Sequence, residues 1–143
     1  MNESAQMERS GRRIYQDLLA FRAKTNKYVY VLASHSHFLM DDVFNTPYWK
    51  DKVLPGWIVG TAGAVRNRLP RGVLTGSMAR TDVYGYLLAT VMSDGTIKFE
   101  FKGLGLNDLK VANEGKAPES LLGWCYSENK NPQVQKPLAC GAE

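Results

Sequence analysis

The chain contains few of the residues that most often carry chemistry. Its 143 residues include only two histidines and two cysteines. Neither cysteine belongs to a Cys-x-x-Cys pair or has a histidine near it in sequence, and no Gly-x-Ser-x-Gly motif occurs. The sequence therefore indicates no serine or cysteine nucleophile. For Cys125 and Cys140 we predict two free thiols, with a disulfide in an oxidising compartment as the alternative.

Long hydrophobic segments are also missing. No apolar run approaches the roughly 20 residues that a helix needs to span a bilayer, and the polar N-terminus lacks the apolar core of a signal peptide. The sequence as written therefore predicts a cytoplasmic protein without a membrane partner. Its apolar content of 44% and charged content of 22% are ordinary for a soluble globular protein.

Neither sign of charge is strongly in excess. The formal net charge is +4, which favours anionic ligands slightly but is too small to predict nucleic-acid binding. Trp49 and Trp57 offer rings on which bases can stack, yet no recognisable nucleic-acid motif accompanies them. We therefore do not expect a nucleic-acid partner.

The first predicted element is a helix. Ile14, Leu18 and Phe21 recur at the spacing of an amphipathic helix. We expect this helix to continue through Lys24 and to end at Asn26, a residue type that suits a helix C-terminus.

Four strands are predicted after this helix. Both faces of the first strand are apolar or aromatic, which predicts a central position in a sheet. The second is closed by Gly60 and Gly63, which we interpret as turn formers. The fourth alternates apolar and charged residues, which predicts one buried face, and Ser93-Asp-Gly-Thr96 before it predicts a hairpin. The strands cover residues 28–33, 56–61, 84–92 and 97–101.

These elements predict an α+β fold with one mostly antiparallel sheet of about four strands. The N-terminal helix covers one face of this sheet, and nothing in the sequence is long enough to cover the other. An exposed apolar face of that size usually binds a partner, and a twofold homodimer buries it most simply. We expect one domain over residues 1–126 and a loosely ordered tail over 127–143. The residues expected on the uncovered face are Tyr30, Leu32, Ile58, Leu87, Val91 and Phe99.

The two histidines stand together at the end of the first predicted strand. His35 and His37 are two positions apart, and in extended backbone such residues point to the same side. Two imidazoles can then meet at one point as metal ligands. Catalytic zinc sites usually have three protein ligands, so further ligands are needed. Asp41 and Asp42 are the nearest candidates, with solvated loop acids as their alternative interpretation.

Arginines concentrate in the loop that follows the second strand. No acid occurs between Asp51 and Asp82, and the arginine fork suits the geometry of phosphate oxygens. We expect Arg66 or Arg68 to contact an anionic substrate, with a solvated basic loop as the alternative. The basic segment contains Arg66, Arg68, Arg71 and Arg80.

Three segments resemble the C-terminal part of the calcineurin-like metallophosphoesterases. The first runs from Tyr28 to Phe38 and contains Ser-His-Ser-His, which is similar to the last metal motif of that family, Gly-His-x-His, with serine in place of glycine. The second is Leu54–Ala64, and the third is the hairpin Tyr84–Phe101. The resemblance spans residues 10–101, and the histidine pair is its most specific element.

The other metal motifs of the family are absent. Asp-x-His, Gly-Asp, Gly-Asn-His-Asp/Glu and a further single histidine do not occur in the chain, which has no third histidine. The resemblance therefore implies the C-terminal third of such an enzyme and half of its two-sheet sandwich, completed by homodimerisation. Export of a longer parent protein stays open.

The resemblance also implies a function. A metal-dependent hydrolase is expected to act on small phosphoesters, of which activated phosphodiesters or phosphotriesters are the expected class. Its divalent metal, zinc or manganese with iron as a further option, would lie at or near a homodimer interface. The alternative is a non-catalytic metal-binding or interaction fragment. The implied residues are His35, His37, Asp41 and Asp42 as metal ligands, and Arg66 and Arg68 at the substrate.

Overall fold

A computed structural model describes residues 3–45, 47–69 and 79–130 of the chain. Within these ranges it contains three helices and six strands, and the strands form one sheet of four and one of two. The α+β class predicted from the sequence is confirmed. The prediction of a single, mostly antiparallel sheet is wrong, because the two long strands form a hairpin of their own and the short strands form a separate mixed sheet.

The four-stranded sheet is built from short strands. Its order is β1–β3–β2–β4, where β1 is Val31–Ala33, β2 is Leu39–Met40, β3 is Gly56–Val59 and β4 is Ala79–Arg80. β3 pairs in parallel with β1 and antiparallel with β2, and β2 pairs antiparallel with β4. The sequence does not predict β2 and β4, because a two-residue strand is too short to show a hydrophobic period.

β1 lies at an edge of its sheet, and the prediction that it is central is wrong. It pairs with β3 from Val31 opposite Gly56 to Ala33 opposite Ile58, while Leu32 and Ala33 are exposed. The correction has a physical reason. The hydrophobic period reports on the two faces of a strand, whereas hydrogen-bonded partners lie at its edges.

The predicted hairpin is confirmed. β5 (Tyr84–Val91) and β6 (Ile97–Leu104) pair antiparallel over their whole length. At the turn, Thr96 accepts a backbone hydrogen bond of 2.8 Å through its carbonyl, and Gly95 has a left-handed φ of 83°, which glycine adopts without strain. Along β6 the apolar residues are half-buried and most of the charged residues are exposed, as predicted.

Asp94 strengthens the hairpin turn. Its carboxylate accepts hydrogen bonds from Oγ1 of Thr96 at 2.6 Å and from the Thr96 N–H at 2.9 Å. These hydrogen bonds lower the pKa of Asp94 below its ordinary value. Because the folded pKa is the lower one, the stabilisation is present above the ordinary pKa and is lost as the pH falls through the lowered pKa.

The two sheets are joined at Thr61, two residues after β3. Its buried hydroxyl donates to the carbonyl oxygen of Gly85 at 2.6 Å, and its own carbonyl accepts from the Gly85 N–H at 3.3 Å. A β-carbon at position 85 would overlap the carbonyl oxygen of Lys102. The start of β5 can therefore pass between Thr61 and β6 because residue 85 is glycine.

α1 (Glu3–Thr25) is the predicted N-terminal helix. Asn26 directly after it has a left-handed φ of 53°, the conformation that often ends a helix. The predicted end of the helix is therefore confirmed.

The contacts of α1 centre on Tyr15. This buried ring lies 4.3 Å from the ring of Phe44 and 4.3 Å from that of Trp49, measured between centroids. α1 thus packs on the segment between β2 and β3, whereas we predicted that it covers a face of the sheet. The rings of that segment bury Tyr15, whereas Ile14 and Phe21 of the same helix remain exposed.

Replacing Tyr15 by phenylalanine is expected to destabilise the protein by about 1–3 kcal/mol. The hydroxyl donates to the Lys52 carbonyl at 2.9 Å and accepts from the Leu54 N–H at 2.8 Å, so its loss leaves both groups without this partner. Urea unfolding measures the change. Tyr48→Phe is the control, because Tyr48 is 66% exposed, and equal midpoints for the two variants would contradict the prediction.

Two helices follow the hairpin. α2 (Leu106–Asn113) begins where the carboxylate of Asp108 accepts from the Gly105 N–H at 2.8 Å. α3 (Glu119–Lys130) begins directly after Pro118. None of the helices in the described ranges combines the length and the apolar character needed to cross a membrane.

α3 was not predicted from the sequence, and it runs past the expected boundary at residue 127. Its Cys125 is buried and disulfide-bonded, so the prediction of a free thiol at this position is wrong. Cys140 and the rest of the expected tail from residue 131 lie outside the described residues.

Several large apolar side chains are exposed. Leu32 of β1 is 59% exposed and Val91 of β5 is 70% exposed. Tyr30, Trp57 and Phe99 pack on one another, with ring centroids 4.3 to 6.4 Å apart, and remain half-buried. The predicted apolar face is therefore present only in part, because two of its six residues are exposed and the other four are half-buried. Its burial in a homodimer stays a prediction.

Candidate metal centre

The two histidines lie in the turn between β1 and β2. We call residues 34–38 the histidine turn. Its residues 35–38 form a bend rather than a continuation of β1, so the expectation of extended backbone between His35 and His37 is wrong. His35 is exposed and His37 is half-buried. Strand geometry therefore gives no reason for the two imidazole rings to point to the same side.

Gly60, directly after β3, allows the histidine turn to come close. A β-carbon at position 60 would lie 2.8 Å from the Ser34 carbonyl oxygen and from Cα of His37, and it would overlap the carbonyl oxygen of Ser36. The backbone path of the turn therefore requires glycine at this position. The Gly60 N–H also donates to the Phe38 carbonyl at 3.0 Å, so the end of β3 holds the turn from one side.

Residues 65–67 hold the histidine turn from the other side. Nδ1 of His37 lies 2.8 Å from the carbonyl oxygen of Val65, and the Asn67 N–H donates to the His37 carbonyl at 3.2 Å. Because a carbonyl oxygen can only accept a hydrogen bond, Nδ1 of His37 carries the proton. In the neutral ring, Nε2 then carries the lone pair. A metal-binding histidine usually has this arrangement, with its second nitrogen donating to a carbonyl or carboxylate.

Asp41 and Asp42 lie directly after β2. Oδ1 of Asp41 accepts a hydrogen bond from the Asp42 N–H at 2.8 Å, and Asp42 has a left-handed φ of 50°. Within the described ranges, no three histidine, cysteine, aspartate or glutamate side chains lie together closely enough to hold a metal ion. One chain therefore does not unite both histidines with either aspartate in such a group.

The arginines of the basic segment lie in different environments. Arg66 is 2% exposed, whereas Arg68 is exposed. Arg80 lies in β4 and forms an exposed ion pair with Asp82, with Nε and Oδ1 3.5 Å apart. Arg71 lies outside the described residues. Of the two arginines expected at a substrate, Arg68 is open to a ligand and Arg66 is enclosed.

Arg66 is enclosed by backbone and by an aromatic ring. Its Nη1 donates to the Gly60 carbonyl at 2.9 Å and lies 3.5 Å from the Val83 carbonyl. The guanidinium carbon lies 4.9 Å from the centre of the Tyr84 ring, a cation–π contact. Burial lowers the pKa of Arg66 and raises the pKa of Tyr84, and each group opposes the shift of the other. Arg66 is thus a buried cation that contacts backbone carbonyls.

Comparisons of the chain with family models, with curated proteins and with solved structures found no match. The resemblance to the calcineurin-like metallophosphoesterases therefore remains an inference from the histidine motif and the strands around it.

Sequence reasoning identifies both histidines but misses two residues that shape their surroundings. Val65 acts through its carbonyl oxygen, which every residue type possesses, so no pattern marks it. From the sequence, Gly60 is interpreted as a turn former. In the structure, the absence of a side chain at this position leaves the space that the histidine turn occupies. A glycine directly after a short apolar strand is the one signal of such a close approach in the sequence.

Proposed function

We propose that the protein is a metal-dependent hydrolase of phosphoesters. His35 and His37 bind a divalent metal, and a second copy of the chain supplies the remaining ligands. The hydrogen bond from Nδ1 of His37 to the Val65 carbonyl carries this proposal. It selects the tautomer in which Nε2 is free to bind a metal, and metal-binding histidines usually have such a partner.

The donor set fits a borderline divalent ion. Imidazole nitrogens suit zinc and iron, and added carboxylates extend the choice to manganese. Two imidazoles from one chain are fewer than the usual three protein ligands. A twofold axis near the histidine turn would bring four imidazoles together, because each copy presents the same surface. Asp41 or Asp42 would then add oxygen donors.

The proposed substrate class follows from the openness of such a site. A divalent metal, when bound, supplies Lewis acidity toward a phosphoryl oxygen and a nucleophile from water near neutral pH. The exposed guanidinium of Arg68 is suited to the phosphoryl oxygens. A site with so few protein groups offers little stabilisation to a poor leaving group. Activated phosphodiesters or phosphotriesters, which have good leaving groups, are therefore the expected substrates.

Removing the metal tests this proposal. Protein stripped with a chelator should lose hydrolysis of an aryl phosphodiester, and added Zn²⁺ or Mn²⁺ should restore it. The control is the double variant His35→Ala/His37→Ala, purified in the same way, which should be inactive with and without metal. Hydrolysis that persists in fully metal-free protein would contradict the proposal.

A second candidate function is a non-catalytic interaction module. The exposed apolar side chains of β1 and β5, among them Leu32 and Val91, favour it, because such surfaces usually bind a partner. The same double variant distinguishes the two functions. If the histidines have no role in assembly, the variant keeps the solution mass of the wild type, whereas a dimer that depends on shared metal dissociates.

A further inference from the structure

Arg66 is the one charged side chain that is buried among the described residues. Its Nε and Nη2 are also buried and have no hydrogen-bond partner. No carboxylate of the described residues forms an ion pair with it. Burying a cation with unused donors lowers stability. The position of Arg66 therefore calls for an explanation other than its own contribution to folding.

Arg66 connects the two segments that hold the histidine turn. Its Nη1 binds the Gly60 carbonyl, and the Gly60 N–H binds the Phe38 carbonyl within that turn. Arg66 also directly follows Val65, whose carbonyl accepts from His37. Hydrogen bonds therefore link Arg66 to Gly60, Gly60 to the histidine turn, and His37 of that turn to Val65. Because Val65 and Arg66 are adjacent in the chain, these links form a closed ring.

We infer that Arg66 is a positioning residue for His37. By tying residues 65 and 66 to Gly60, it keeps the Val65 carbonyl at Nδ1 of His37 and thereby presents Nε2 to a metal ion. This role rests on the proposed function as far as metal binding is concerned. The orientation of the ring itself does not require metal. A positioning role is also compatible with the burial of Arg66, because the enclosed guanidinium is not accessible to a substrate.

The variant that tests this role is Arg66→Met. Methionine fills a similar length beside Tyr84 but donates no hydrogen bond. The matched control is Arg22→Met. Arg22 also donates to a backbone carbonyl, that of Val53 at 3.2 Å, but it lies in α1.

The first readout is the tautomer of His37 in metal-free protein, measured from two-bond ¹H–¹⁵N correlations of the imidazole rings. The chain has two histidines, and the exposed His35 is an internal reference in the same spectrum. We expect the protonated Nδ1 of His37 in the wild type and in Arg22→Met. In Arg66→Met the His37 signals should move toward those of His35. A folded Arg66→Met protein that keeps the wild-type His37 signals would overturn the inference.

The second readout is the affinity for Zn²⁺. Arg66→Met should lower it about 10- to 100-fold, the usual effect of losing support behind a metal ligand, and Arg22→Met should leave it unchanged. A wild type that shows the expected tautomer and binds no Zn²⁺ would contradict the proposed function, whereas the tautomer readout would still decide the role of Arg66.

A second variant covers the case in which Arg66→Met does not fold. Arg66→Lys keeps the charge and one donor for the Gly60 carbonyl, so it should preserve the protonated Nδ1 of His37. A folded Arg66→Lys protein in which His37 has lost that tautomer would overturn the inference, because lysine can still donate to the Gly60 carbonyl.

Discussion

Replacing Gly60 by alanine is expected to destabilise the protein by about 3 kcal/mol or more, at the upper end of the usual cost of overpacking. The new β-carbon would overlap the Ser36 carbonyl oxygen and lie 2.8 Å from Cα of His37. Both are backbone atoms, so they cannot move aside without moving the whole histidine turn. Since natural domains are stable by about 5–15 kcal/mol, this loss is large. Any folded fraction should also lose the contact between His37 and Val65.

Gly11→Ala is the control for this prediction. Gly11 lies inside α1, and an added β-carbon there meets no atom within 4 Å. Because alanine favours the helix, this variant should gain about 0.5–1 kcal/mol. Urea unfolding followed by far-UV circular dichroism compares both variants with the wild type. A Gly60→Ala midpoint equal to that of the wild type would show that the turn does not depend on this close approach.

Replacing His37 by alanine is expected to lower the affinity for Zn²⁺ at least about 100-fold, since losing even a supporting residue costs roughly 10- to 100-fold. His35→Ala should weaken binding less. The ring of His37 is already oriented by the Val65 carbonyl, whereas the exposed ring of His35 loses conformational freedom when it binds.

Isothermal titration calorimetry of the metal-free proteins measures affinity and stoichiometry together. Asp82→Asn is the control, because this exposed carboxylate pairs with Arg80 rather than with the histidine turn. We expect one metal centre for two chains in the wild type and in the control. Wild-type affinity in His37→Ala would exclude the site, and a complete site in each single chain would exclude sharing between two copies.

Elements with a strong local signal were predicted well. The end of α1 at Asn26 and the turn around Gly95 both depend on residue types that favour a left-handed backbone. The errors concern elements whose signal is weak or non-local. β2 and β4 have two residues each, and α3 has no pronounced apolar stripe.

The candidate site shows the same division. The pair of histidines is visible as a pattern, and so is the basic segment that follows. The environments of the arginines are not visible, because burial depends on where the fold places Val83 and Tyr84, at the start of β5. The sequence therefore treats Arg66 and Arg68 as equivalent, while the structure encloses one and exposes the other.

The sequence by itself determined the α+β class, the N-terminal helix, the hairpin and the identity of the two histidines. These follow from periodicity, turn residues and composition, which act over a few neighbouring positions. Only the tertiary structure decided which nitrogen of His37 is free and why residue 60 is glycine. Both depend on atoms brought together from distant parts of the chain, such as His37 and Val65, which are 28 positions apart.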